Sequence, residues 1–265
     1  MTASLPSRIV CLTEETTETL YLLGEEHRIV GISGYTVRPA RARRDKPRVS
    51  AFSSARIDRI LALEPDLVIG FSDIQADIAR DLIKHGLNVL VFNQRSVAQI
   101  LSMIRTLAAV VGAHERGGRL ISQLESGLEA VRLRASGLAR RPKVYFEEWD
   151  EPMISAIRWV SELVEIAGGE DIFTELSRSQ GAGGRVIADS AEVVRRAPEV
   201  IIGSWCGKKF RPERVSARPG WEAIPAVRDG ELHEIKSADI LQPGPAALTD
   251  GLHRLHEIIA AWARR

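Results

Sequence analysis

Short apolar, β-branched runs alternate along this chain with amphipathic stretches of about ten residues. Arg8-Ile-Val-Cys-Leu-Thr13 reads as a buried strand. Thr13 is a candidate N-cap, and Glu14, Glu15 and Glu18 then open a helix, because carboxylates in a first turn suit the positive end of the helix dipole. Leu20, Leu22 and Leu23 carry that helix to Gly24, a residue type common just past a helix end. The same reading predicts strands at 28–33, 66–71, 88–92, 143–146 and 200–203. It predicts helices at 55–63, 74–84, 97–111, 161–167, 191–197 and 252–262. Segments 37–47 and 180–185 read as loops, the second as a flexible one. Strands separated by helices of this length predict parallel sheets with crossover helices.

Residues 113–138 break the alternation. They form one charged, periodic stretch with Leu120, Leu124, Leu128 and Val131 on a single stripe, read as a helix joining two lobes. The chain then restarts its pattern. Glu64-Pro-Asp-Leu-Val-Ile-Gly70 resembles Ala197-Pro-Glu-Val-Ile-Ile-Gly203: in each, proline stops a helix, an acid follows, and an apolar run crosses the sheet. The expectation is an α/β protein with an N-terminal lobe at 1–112, a connecting helix at 113–141 and a C-terminal lobe at 142–265.

Ligands of open α/β sheets bind outside the carboxyl ends of the strands. In this chain those ends are residues 13–15, 33–35, 71–72, 147–152 and 204–208, expected to line a cleft between the lobes. Four aromatics fall among them: Tyr35, Phe71, Trp149 and Trp205. Such a set suits a flat, mostly apolar ligand. The acids Glu14, Glu15, Glu147 and Glu148 would make part of that cleft negative, and buried carboxylates need partners. Lys208 and Lys209 are the candidate partners, or else a cationic ligand. Cys206 beside them is a candidate thiolate for a ligand's metal.

Charge and composition narrow the function. Lysine and arginine total 36 against 35 acids, a net charge of +1, which gives no basic excess for nucleic acid. Arg38, Arg41, Arg43 and Arg44 cluster in a loop that reads as a solvated face. The two cysteines, Cys11 and Cys206, have no metal-type spacing, and Cys11 sits in an apolar run as a small hydrophobe. No phosphate-binding glycine fingerprint or nucleophile elbow is present. His253 and His256 on the last helix read as a surface pair rather than a metal site, and no catalytic residues are assigned. The first residues lack a basic segment followed by an apolar core, so the chain as written reads as cytoplasmic, without membrane insertion.

These stretches together resemble the substrate-binding proteins of ABC importers for vitamin B12 and ferric siderophores, with the nearest likeness to the cobalamin-binding branch. The likeness rests on residues 8–18, on Val30-Gly-Ile-Ser-Gly-Tyr35 with Pro39, on Ile60-Leu-Ala-Leu-Glu-Pro-Asp-Leu-Val-Ile69, and on Val164-Glu-Ile-Ala-Gly-Gly-Glu-Asp-Ile-Phe173. It implies two Rossmann-like lobes hinged on a helix, a corrinoid ligand with no further cofactor, no enzymatic activity, and a monomer placed outside the cytoplasmic membrane. It implies that Tyr35 and Phe71 contact the corrin, that Trp149, Trp205 and the loop at Gln242 line the cleft, and that Asp77 and Glu192 dock on a permease. Three alternatives stay open: a ferric siderophore or haem-type chelate binder, a cytoplasmic corrinoid or chelate carrier or sensor without a permease, and a chelatase-like enzyme using His253 and His256. The chain departs from the resemblance in having Asp at position 77 where Glu is usual, and Glu14 and Glu15 where small or apolar residues are.

Overall fold

The computed structural model describes residues 5–265. The chain divides into two compact units, one reaching Gln94 and taking in Ala98–Gln123, the other made of Arg95–Val97 and Leu124–Arg265.

The first unit runs β1 (Ile9–Cys11), α1 (Glu14–Leu22), β2 (Ile29–Ser33), α2 (Ala42–Asp45), β3 (Arg48–Ser50), α3 (Ile57–Leu61), β4 (Leu67–Phe71), α4 (Ala76–Lys84), β5 (Val89–Phe92) and most of α5 (Val97–Val110). Its sheet has the order β3-β2-β1-β4-β5, and every pairing is parallel. The apolar runs are strands because both faces of the sheet are covered: Ile9, Val10 and Cys11 are all fully buried. The segment at 37–47, read as a loop, holds the single turn of α2. Edge strand β3, which escaped the sequence reading, follows it directly; three residues beginning with an arginine carry too little apolar signal.

The long helix α6 (His114–Ser136) runs through the point of division, between Gln123 and Leu124. Its buried stripe is Ile121, Leu124, Leu128, Val131 and Ala135. Ile121, not the predicted Leu120, starts that stripe.

The second unit continues with β6 (Lys143–Asp150), β7 (Met153–Ser155), α7 (Arg158–Ala167), β8 (Glu170–Asp171), α8 (Thr174–Ser177), α9 (Ala191–Arg196), β9 (Val200–Gly203), α10 (Pro212–Ser216), α11 (Pro225–Arg228), β10 (Leu232–Glu234), α12 (Ser237–Ile240) and α13 (Leu252–Ala263). Strands β10, β9, β6 and β8 pair in parallel, but β7 turns back antiparallel on the far half of β6, so the sheet is mixed and not purely parallel as expected. Strand β6 is eight residues long, where four were predicted. The charges at its far end looked like a strand terminus, yet the strand continues because those side chains find partners. Within 180–185, expected to be a flexible loop, Ala182–Arg185 form a 3-10 turn that buries Arg185 to 2% exposure.

The repeat seen in the sequence is a repeat of geometry. Glu64 and Ala197, each followed by proline, take left-handed backbone conformations with φ of +47° and +49°. Asp66 then accepts hydrogen bonds from the amides of Ser7 (2.7 Å) and Arg8 (3.0 Å). Glu199 does the same for the amide of Lys143 at 3.0 Å. In return, Asp66 N–H donates to Arg8 O and Glu199 N–H to Lys143 O, at 2.9 and 2.8 Å. In each unit the acid after the proline thus fixes the start of the strand beside it, β1 in one and β6 in the other.

Candidate functional site

In the first unit the chain leaves β1 for β2 on one side and reaches β4 on the other, which makes the carboxyl ends of β1 and β4 the switch point where such sheets bind ligands. Thr13, Glu14 and Glu15 stand there. Thr13 does not use its side chain as a helix cap; its hydroxyl donates to Glu15 Oε1 at 2.7 Å. The second oxygen of Glu15 is buried without a hydrogen-bond partner. Glu14 Oε2 accepts from Val37 N–H at a long 3.4 Å. Burial therefore dominates both groups, pushing the Glu14 carboxyl up to about 8 and the Glu15 carboxyl up to about 7. Neither acid has a lysine or arginine partner that offsets its burial. Glu18, one turn on, is paired with Arg38 Nε at 2.9 Å.

Tyr35, just past β2, is 55% exposed. Phe71 ends β4 at 4% exposure, beside Phe92 of β5, so most of its ring is already covered. The following Ser72 takes φ +60°, uncommon for a residue other than glycine, and its hydroxyl accepts from Ile74 N–H at 3.2 Å. Phe52 is an addition. It is half-buried just beyond the carboxyl end of β3, where its carbonyl accepts from Gln75 Nε2 at 2.9 Å. The strand-end rule would have found it had β3 been recognised.

In the second unit the acids are not bare. Glu147 is fully buried and receives Arg218 on both oxygens, at 2.5 and 2.9 Å, together with the Tyr145 hydroxyl (2.8 Å) and the Trp205 indole N–H (2.9 Å). Glu148 is held by two nitrogens of Arg185, at 2.6 and 3.0 Å, and Arg185 also donates to Ser155 O. The partners proposed from sequence, Lys208 and Lys209, take neither acid: Lys208 pairs with Asp150. An arginine far along the chain reaches a buried acid from an adjoining segment, which local sequence does not reveal. The negative character expected on this side is thereby neutralised, and the acids without such partners are Glu14 and Glu15.

Trp205 is also corrected. At 2% exposure it belongs to the core with Tyr145, Phe173, Phe210 and Trp221, its ring edge-on to Phe210 at 5.1 Å. Its indole N–H is taken up by Glu147. Trp149 differs. It is half-buried, its N–H donates to Glu151 O at 2.8 Å, and the Lys208 ammonium lies 3.9 Å from its ring centroid. Cys206 is exposed and outside any disulfide, whereas burial pushes the Cys11 thiol up to about 12. Gln242 is half-buried in the loop after α12, with its carbonyl accepting from Gly244 N–H.

Asp77, in the first turn of α4, is 83% exposed and paired with Arg80 at 2.8 Å. Glu192, in the first turn of α9, holds Arg195 at 2.5 Å and Arg196 at 2.7 Å. His253 is exposed, while His256 Nδ1 lies 3.0 Å from Ala167 O, so the two histidines have different surroundings. Among the described residues no group of three histidine, cysteine or acidic side chains is placed to hold a metal, and no helix is long and apolar enough to cross a membrane.

Residues 9–238 match the family model for periplasmic binding proteins. The chain belongs to this family. Its members are the binding proteins of transporters rather than enzymes. The chain is 22% identical over 263 residues to an uncharacterized ABC transporter substrate-binding lipoprotein, YvrC, of Bacillus subtilis, covering 96% of this chain and 80% of the relative. It is 26% identical over 200 residues to the vitamin B12-binding protein of Vibrio campbellii, covering 74% and 70%. In structure it is similar to the periplasmic haem-binding protein RhuT of Roseiflexus in its apo form, with a TM-score of 0.80, 23% identity and coverage of 96% and 99%. Two α/β lobes built mainly on parallel strands are the fold of this family. As such, the chain is a substrate-binding protein of the ABC-importer class, with a small molecule as its ligand and a permease as its partner.

Proposed function

We propose that the ligand is a corrinoid, recognised by aromatic side chains at the carboxyl ends of strands. The observation that carries this reading is Trp149. Its indole is anchored by the bond to Glu151 O and has a lysine ammonium over the ring, the arrangement of a fixed aromatic platform. Tyr35 and Phe52 add aromatic surface at the strand ends of the first unit. A macrocycle of mostly apolar faces and polar rim suits such a set. Glu14 fits the rim: a carboxyl that holds its proton near neutral pH donates as well as accepts hydrogen bonds. The similarity to a vitamin B12-binding protein supports the same ligand class.

The protein works outside the membrane in this reading and docks through Asp77 and Glu192. Exposed local pairs such as Asp77 with Arg80 are weak, so an arginine of the permease can replace the internal partner. Haem is the second reading. The exposed Tyr35 phenol is a known type of haem-iron ligand, and the structural likeness to a haem binder favours the same class of flat chelate.

Calorimetric titration of the ligand-free protein with cyanocobalamin and, separately, with haem separates the two. A cobalamin Kd below about 1 μM, or −8 kcal/mol, establishes the corrinoid reading. Haem binding of that strength with a tyrosinate absorption band, and no cobalamin binding, replaces it.

A further inference from the structure

A cavity of about 640 Å³ lies on the outer flank of the first sheet, between edge strand β3 and helix α3. Four cations line it, Arg43, Lys46, Arg48 and Arg59, over an apolar floor that includes Val49 and Leu63. No acidic side chain is part of the lining. The neighbouring arginines of this basic segment are engaged elsewhere: Arg38 with Glu18, Arg41 with Glu26 and over the Tyr21 ring, Arg44 with Asp45, and Arg56 with Asp58. Arg43, Lys46, Arg48 and Arg59 are the members of the run left outside these pairs, and they converge on one concavity. The cluster that read as a solvated face in the sequence is therefore split by the fold into paired arginines and a set facing common space.

We propose that this cavity binds a small, multiply charged anion bearing phosphate groups, at a site separate from the strand ends that carry Glu14 and Tyr35. The net charge of the chain is only +1, so the positive potential is local to this flank and not a property of the whole surface. Like charges lining one concavity repel one another, and a bound anion converts that repulsion into attraction; the acids nearest Lys46, Asp45 and Glu26, are already shared with Arg44 and Arg41. Three guanidinium groups supply planar, paired donors matched to phosphate oxygens, and Lys46 adds a point charge. Burial holds the Lys46 ammonium below the ordinary lysine value, and a neighbouring anion reverses that effect. The volume lies within the range of small-molecule sites and exceeds what a single inorganic ion needs.

The test uses the full chain and inorganic tripolyphosphate in calorimetry at low ionic strength, with co-sedimentation on phosphatidylglycerol and phosphatidylcholine vesicles as a second arm. Saturable tripolyphosphate binding is expected, weakening as salt is added. The double substitution Arg48→Gln with Arg59→Gln should weaken it at least tenfold. Arg44→Gln, which removes a charge already paired with Asp45, should leave it within twofold, and circular dichroism should show both variants folded. Binding to phosphatidylglycerol alone, lost in the double variant, assigns the site to lipid phosphate instead of a free ligand. The proposal is overturned if neither probe binds, or if both bind the double variant as well as the parent. Cobalamin or haem titrations of the same variants should be unchanged, which keeps this outcome distinct from the ligand reading above.

Discussion

Arg218 grips Glu147 with two nitrogens at 2.5 and 2.9 Å, and Tyr145 and Trp205 complete the shell around the same carboxylate. Four donors on one fully buried acid offset its desolvation. Arg218→Ala leaves a buried carboxylate short of its counter-charge, and the expected loss is about 3–5 kcal/mol. Urea unfolding measures it as a lower midpoint with an unchanged slope. A loss below about 1 kcal/mol would mean that water already reaches Glu147.

Stability should fall as pH rises from about 5 to 8. Glu14 and Glu15 are raised by burial, to about 8 and about 7, above their unfolded values. Between the unfolded and folded values the unfolded chain gives up these protons while the folded chain keeps them. The folded state then binds more protons, and stability declines with pH until the folded carboxyls ionise. The effect is on the order of a few kcal/mol. Urea midpoints at pH 5 and pH 8 should converge in the Glu14→Gln, Glu15→Gln variant; an unchanged gap between them counts against these two acids as its source.

Gly70 and Gly203 occupy equivalent places at the ends of β4 and β9, yet their tolerance should differ. A methyl group on Gly203 would overlap the Phe210 ring, which is buried and wedged against Trp205. A methyl on Gly70 would meet only Gln75 Oε1 closely, at 2.9 Å, a far smaller overlap, although that oxygen also accepts from Phe71 N–H. Gly203→Ala should cost about 3 kcal/mol and Gly70→Ala about 1. Thermal or urea denaturation of the pair decides; equal costs would show that Phe210 moves aside.

Trp149 and Trp205 should fail in different ways. Trp149→Ala is expected to weaken ligand binding about tenfold or more at nearly constant stability. Trp205→Ala is expected to cost about 3–5 kcal/mol of stability through loss of a core aromatic. Titration and unfolding on both variants check this. A stable Trp205→Ala protein with lost binding would return that residue to the ligand.

The strands with dense β-branched runs were legible in the sequence, as were the helices that followed them and the repeated Pro-acid junction, because burial on both faces writes itself as uninterrupted apolar residues. What was not legible has two causes. Strand β3 is three residues long and begins with an exposed arginine, too little apolar signal to read. Strand β6 continues through Glu147, Glu148 and Asp150, and the Gly-rich turn at 182–185 buries Arg185. These place charges inside structure, and what makes that possible is a partner tens of residues away: 37 between Glu148 and Arg185, 71 between Glu147 and Arg218. Strand-end logic proposes Tyr35 and Trp149 for the candidate site, and the structure leaves the first exposed and the second half-buried. It misjudged Trp205, since position at a strand end does not say which way a ring is turned. Phe52 was lost with the short strand that carries it.

The paired acids at Asp66 and Glu199 bear on how the molecule comes apart. Asp66 closes on Ser7 across 59 residues, and Glu199 closes on Lys143 across 56, so each half secures its first strand from within its own stretch of chain. Two self-contained closures predict two cooperative units rather than one. A single melting temperature would then average two events, and amide hydrogen exchange should sort the protected strand amides into two classes, one per half, each with its own opening free energy.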